Sequence, residues 1–158
     1  MSKKSNLYLG RAGQLAVMAE FLARGWNVAI PEVDVGDDIF VVRDSDGNLS
    51  RIQVKAATAK ERKDGYSAQF SVRVSQLALP MTPDLTYVFV VRRNFRWESF
   101  LVIGRERLNA EYEINKVGSR TNDQIVFYFS YRRGQIAANG RDFTELLSDW
   151  SKWPLIVH

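Results

Sequence analysis

GDDIFVVRDSDGNLSRIQVKA, residues 36–56, is the stretch on which the fold turns. Asp38 to Arg43 reads as a strand, Asp44-Ser45-Asp46-Gly47-Asn48 as a turn and Leu49 to Ala56 as a second strand, because two apolar runs bracket a cluster of turn formers. The aspartates of the turn also resemble the start of a calcium loop. The bidentate acid such a loop needs near its end is missing, since Lys55 stands there. A hairpin is therefore expected. With the turn central, antiparallel pairing sets Asp38 opposite Lys55 and Phe40 opposite Gln53. Opposed residues share a face, as do residues two apart. Asp38, Gln53 and Lys55 then converge on one side while Ile52 and Val54 point to the other, and a one-residue slip would undo the arrangement.

Upstream, Arg11 to Arg24 reads as an amphipathic helix opened by Gly13-Gln14 and ended by Gly25. Leu15, Val17, Met18, Phe21 and Leu22 fall on one arc with Gln14 inside it. Glu20 projects nearly opposite and stands four residues before Arg24, the spacing of an exposed ion pair. Trp26 to Ile30 reads as a strand stopped by Pro31. The loop that follows carries Glu32, Asp34 and Asp37, which read as solvated acids and secondarily as extra carboxylates for a metal. Downstream, Lys60 to Gly65 reads as a charged loop, and strands are expected over Tyr66–Val74, Leu85–Val91, Trp97–Ile103 and Ile125–Tyr131. Arg105–Tyr112 reads as a short helix and Phe143–Trp150 as a closing one. The order implies one α/β (α+β) domain over residues 1–158, a central mixed sheet flanked by helices.

Several chemistries are excluded by composition. There is no cysteine, hence no disulfide framework, thiolate metal site or cysteine nucleophile. The one histidine is the last residue, His158, a poor place for a general base or a zinc ligand. No apolar run approaches the ~18 residues of a membrane span and no signal-peptide pattern opens the chain, so a cytoplasmic protein is expected.

The net charge of +4 is unevenly spread: residues 1–50 hold 5 basic and 7 acidic side chains, the remainder 17 and 11. Carboxylates for a cation beside arginines for a phosphate backbone suit a phosphodiesterase. Arg92, Arg93 and Arg96 with Phe95 and Trp97, and Arg132 and Arg133 after Tyr131, interleave cation and aromatic as DNA contacts do; the alternative is hairpin surface and core. Trp150, Trp153 and Leu155 are expected to pack on the sheet or on a partner subunit, which leaves a homodimer open.

The residues on the shared face fit metal-assisted phosphodiester hydrolysis. Magnesium keeps several waters and is held by one or two protein oxygens plus substrate phosphate, here Asp38, the Gln53 amide oxygen and the Val54 carbonyl. Lys55 would orient the attacking water or stabilise charge building at phosphorus.

Gly13-Gln14-(eight residues)-Ala23-Arg24-Gly25-Trp26-Asn27-Val28, then Pro31, Gly36-x-Asp38 and Ile52-Gln53-Val54-Lys55, resembles the PD-(D/E)XK nuclease superfamily. The resemblance is nearest its Holliday-junction resolvase-like and small bacterial endonuclease branches, including homing endonucleases with a Gln-x-Lys variant, and it covers about the first 57 residues. It implies a restriction-endonuclease-like fold, Mg2+ (or Mn2+) as cofactor, DNA as partner, Asp38 as the metal-binding acid, Gln53 in the second acid's position and Lys55 as the motif lysine. In many relatives a glutamate from the first helix completes the site, where this chain has Gln14. Two functions follow: a magnesium-dependent DNA endonuclease, with structured or branched DNA among its expected substrates, or a catalytically decayed domain that binds nucleic acid or protein.

Overall fold

In the computed structural model, which describes residues 2–158, the first element is a long helix, α1 (Lys3–Ala23). Ser2 caps it, its side chain accepting from the Ser5 N–H at 3.2 Å. Gly25, at φ +82°, closes it. Trp26 N–H donates to the Phe21 carbonyl and Gly25 N–H to that of Leu22, the paired bonds of a Schellman end.

The helix thus begins eight residues before the expected Arg11, and Gly13-Gln14 lies inside it rather than opening it. Its buried residues, Leu9, Gly13, Val17 and Phe21, recur every fourth position. That stripe corrects the expected face: Leu15 and Leu22 are about half exposed, and Glu20 is half-buried instead of opposite the core. Arg24 lies over the Trp150 ring at 5.3 Å and forms no ion pair with Glu20. Gly13 sets this phase, because a Cβ there would sit 2.8 Å from Ala56 Cβ and 3.0 Å from Val90 Cγ2. The helix meets the sheet where its side chain is absent.

Among the described residues eleven strands follow: β1 (Asn27–Ala29), β2 (Ile39–Arg43), β3 (Asn48–Thr58), β4 (Lys60–Arg62), β5 (Gly65–Arg73), β6 (Leu85–Arg93), β7 (Arg96–Gly104), β8 (Ser119–Thr121), β9 (Gln124–Arg132), β10 (Gln135–Ala138) and β11 (Arg141–Asp142). Helices α2 (Val74–Ala78) and α3 (Arg105–Glu113) interrupt them. A mixed five-stranded sheet runs β1-β2-β3-β6-β7, with β3 and β6 parallel. A second, antiparallel sheet runs β11-β10-β9-β5-β4, with β8 beside β9.

The mixed sheet is the centre, as expected, and the strand buried on both faces is β6, whose Leu85–Val91 run is continuously buried and apolar but for Thr86. One face packs on α1 and the C-terminal segment, where Phe21 meets Trp150 and Trp153 edge-on at 5.4 and 5.1 Å. The other packs on the second sheet through Phe70, Phe89, Phe127 and Phe129. The closing segment forms one 3-10 turn, Thr144–Leu146, in place of the expected helix. Ser148 N–H bonds the Phe100 carbonyl and Ile156 N–H the Arg24 carbonyl, so this segment takes its backbone partners from the body of the protein. The expected loop at Lys60–Gly65 is a hairpin instead. Among the described residues no helix is long and apolar enough to cross a membrane.

The β2–β3 hairpin is the expected one with a corrected register. Ile39 pairs with Ile52 and Phe40 with Arg51, so Asp38 stands beside Gln53 rather than Lys55. The turn is four residues, Asp44–Gly47, closed by Gly47 N–H on the Arg43 carbonyl at 2.8 Å. Asp46 accepts from the Arg43 guanidinium and from Asn48 N–H, which makes it a turn acid and not a calcium ligand. The slip is two residues, an even number, and leaves every side chain on its expected face.

Candidate active site

Asp38 is the last residue before β2, and its N–H donates to the Ile52 carbonyl at 2.8 Å, extending the ladder by one rung. Its carboxylate Oδ2 accepts from Val54 N–H and from Gln53 Nε2, both at 2.8 Å. Oδ1 receives no hydrogen bond from any described residue. Gln53 and Lys55 alternate along β3 beside Tyr87 and Phe89 of β6, so both face the second sheet. The second sheet stops short of them and leaves a cleft of about 630 Å³, with Gln53 and Lys55 on one wall and Asp34, Gly36, Arg73 and Gln76 on the others.

The electrostatics are those of a charged pair drawn partly out of water. Burial pushes the Asp38 carboxyl above its ordinary value, against the lowering effects of the Val54 N–H and the Lys55 charge. Burial likewise pushes the Lys55 ammonium below its ordinary value, opposed by Asp38 and assisted by Arg73. Gln53 is 7 % exposed and its amide oxygen is buried without a hydrogen-bond partner. An amide oxygen left orphaned beside a carboxylate is a position that a hard cation would satisfy. The residues therefore fit one divalent ion, with Asp38 and Gln53 supplying protein oxygens. Among the described residues no three His, Cys, Asp or Glu side chains gather in a metal-binding group.

Gln14 comes to this region from the other side of the sheet. Its Nε2 donates to the backbone carbonyl of Asp38 at 2.9 Å and its Oε1 accepts from Arg11 at 2.8 Å. Both ends of the amide are thereby used, and the side chain braces the Asp38 backbone without reaching the carboxylate. Of the loop acids, Asp37 is 1 % exposed and bonded to Arg51 at 2.8 Å, not solvated. Glu32 and Asp34 are exposed, and Asp34 Oδ1 caps the Gly36 N–H.

The arginines lie elsewhere. Tyr87 neighbours Gln53 across β3 and β6, whereas Arg92 neighbours Thr58, five residues on and about 17 Å away. Arg93 forms two bonds with Glu61, at 2.7 and 2.9 Å, and lies over Tyr66. Arg93, Arg132 and Arg133 line one cavity of about 520 Å³ with Tyr131, whose ring is buried. Arg96 is exposed in the tight β6–β7 turn, where Asn94 and Phe95 have positive φ. Arg92 is half-buried with its guanidinium over the exposed Phe95 ring at 5.8 Å.

Two further residues of the cleft, Gln76 and Arg73, lie outside the motifs of the sequence. Gln76, on α2, donates to the Gly36 carbonyl and accepts from the Tyr87 hydroxyl at 3.0 Å, pinning the acidic loop over the cleft. Gly36 has φ +108°, a backbone conformation that side chains rarely adopt, which explains a glycine at that position. Nothing in the five-residue α2 segment marks it in sequence. Arg73 could have been found from the strand alternation that brings it to the end of β5.

No family model matches the chain and no curated protein matches it. Among solved structures it superposes on the bacterial homing endonuclease I-Ssp6803I with a TM-score of 0.59 at 19% identity, over 96% of this chain and 90% of that one. The chain has the fold of a nuclease, shared along nearly its whole length.

Proposed function

We propose that this protein is a divalent-metal-dependent DNA endonuclease of the PD-(D/E)XK kind. The observation that carries the reading is the orphaned, buried Gln53 amide oxygen beside the Asp38 carboxylate, with Lys55 in the same cleft of a chain folded like a homing endonuclease. Mg2+, or Mn2+ in its place, would be held by Asp38 and Gln53, and would supply Lewis-acid polarisation of the phosphate and a more acidic water. Asp38 contributes the anionic oxygen, and the Val54 N–H and Gln53 amide hold its carboxylate in one orientation. Lys55 presents an ammonium to the attacking water or to the phosphoryl oxygens as their charge grows. Gln14 acts through Asp38 as a positioning residue. Arg96, Arg132 and Arg133 are candidate contacts to the substrate's flanking backbone.

The test is incubation of purified protein with supercoiled, linear and branched DNA, with Mg2+, Mn2+ or EDTA. Metal-dependent strand scission that Asp38→Asn and Lys55→Ala each reduce by ~100-fold or more supports the reading. Absence of scission on every substrate removes it. One observation favours a second reading, a decayed domain that binds nucleic acid without cutting it: no group of three acidic or imidazole ligands exists among the described residues. DNA binding in EDTA with no metal-dependent cleavage would select that reading.

A further inference from the structure

A second cavity, of about 450 Å³, adjoins the catalytic cleft along β3. Lys55 belongs to the first, and the next residues, Ala56 to Thr58, line the second, so one strand runs under both. The far wall of the second is made by Lys60, Arg62, Gln69 and Tyr128. Register puts these on one surface: Lys60 pairs with Ser67, Gln69 with Tyr128 and Arg73 with Gln124, so the alternate residues of β4, β5 and β9 point outward together. Arg73 ends that row inside the catalytic cleft.

The charge on this wall is of one sign. Six arginines elsewhere, Arg43, Arg51, Arg93, Arg105, Arg107 and Arg141, are paired with carboxylates. Lys60, Arg62 and Arg73 have no carboxylate within ion-pair distance among the described residues. Arg62 is held instead by neutral groups, its Nε donating to Ser67 Oγ and its Nη2 to the Tyr128 hydroxyl, both at 3.0 Å. These bonds orient the guanidinium and leave its charge unneutralised, the arrangement that suits a phosphate. Tyr128, 46 % exposed, offers an aromatic face beside it.

We propose that this groove carries the DNA strand flanking the bond presented to Lys55, with Lys60, Arg62 and Arg73 on its phosphates and Tyr128 against a sugar or base. The inference rests on the nuclease reading for the identity of its occupant and is measured apart from cleavage. The experiment is fluorescence anisotropy of a labelled duplex in EDTA over a range of salt, for the wild type, the triple variant Lys60→Gln/Arg62→Gln/Arg73→Gln and the control Arg107→Gln.

Three lost phosphate contacts should lower the magnitude of the log–log salt slope by about 2 to 3, and the control should keep the wild-type slope. Because Arg62 also bonds Ser67 and Tyr128, the single variant Lys60→Glu, at an exposed side chain with no hydrogen bond, guards against misfolding and should lower the slope by about 1. An unchanged slope in variants that melt like the wild type overturns the groove and leaves the nuclease reading standing. A reduced slope in a protein that never cleaves supports the groove and removes the nuclease. No salt-dependent binding by the wild type overturns the groove outright.

Discussion

At residue scale two charged groups would each be better solvated elsewhere: Lys55 in the wall of the cleft and Asp38 behind it, bonded to Gln53. The Asp38 pKa lies above its unfolded value, so its contribution to stability is present below the unfolded value of 3.8 and is lost as pH rises through the folded one. The Lys55 pKa lies below its unfolded value of 10.5, so stability is lower beneath the folded pKa and is regained as pH rises from there to 10.5. Both directions already include the attraction between the two groups. At neutral pH each charge is therefore a net cost to the apo fold.

Asp38→Asn and Lys55→Met should consequently raise the apo melting temperature at pH 7 while removing the groups on which cleavage depends. Thermal melts without metal check this, and a drop for both would show that the pair is structural. In the rate profile, the alkaline limb should lie below pH 10.5 as Lys55 gives up its proton, while a metal-free titration should find the Asp38 carboxyl above 3.8. A rate unchanged up to pH 10.5 would separate Lys55 from the chemistry.

At the scale of elements, α1 is decided by two glycines of opposite character. Gly10 has nothing within 4 Å of an added Cβ, whereas one on Gly13 meets Ala56, Val90 and Trp97. Gly10→Ala should stabilise by roughly 0.5–1 kcal/mol through helix propensity. Gly13→Ala should destabilise by about 1–3 kcal/mol because the sheet is overpacked. Denaturant melts of the two variants test the docking, and similar shifts would mean that α1 does not seat on β3 at Gly13.

The same glycines show why the sequence was only partly legible here. Small residues weaken the apolar period, so Leu15 and Leu22 widen the predicted stripe beyond the real one, which shares Val17 and Phe21 with it and continues to Gly13 and Leu9. The hairpin was easier, because a turn of Asp44 to Gly47 between two apolar runs fixes parity even when the register is misjudged by two. That parity alone puts Asp38, Gln53 and Lys55 on one face. The second sheet's short strands and α2 are opaque, since two to five residues carry too little periodicity. Gln14 reaches the Asp38 backbone carbonyl and not its carboxylate, a distinction that depends on which side of the sheet α1 packs.

At the scale of the whole molecule, the mixed sheet is sealed on one face by α1 and the tryptophans of the C-terminal segment and on the other by the second sheet. The cleft opens where that second sheet ends. A ligand that joins Asp38 to Gln53 bridges the entry of β2 to β3, and so should stabilise the native state as a unit. Binding to the folded chain alone adds RT ln(1 + [L]/Kd), about 2.7 kcal/mol at a hundredfold excess over Kd. For a chain of 158 residues that corresponds to roughly 5–11 °C in melting temperature. Mg2+ or Mn2+ should therefore raise the melting temperature of the wild type in a saturable way. Asp38→Asn should lose the shift, because a neutral amide replaces the single anionic oxygen, even though its apo form starts from a higher temperature. Gln53→Leu should lose much of it while keeping the carboxylate. An equal metal shift in Asp38→Asn would put the ion somewhere other than this cleft. Saturable shifts that disappear only with Asp38 and Gln53 would tie the fold's stability and its proposed chemistry to the same pair of oxygens.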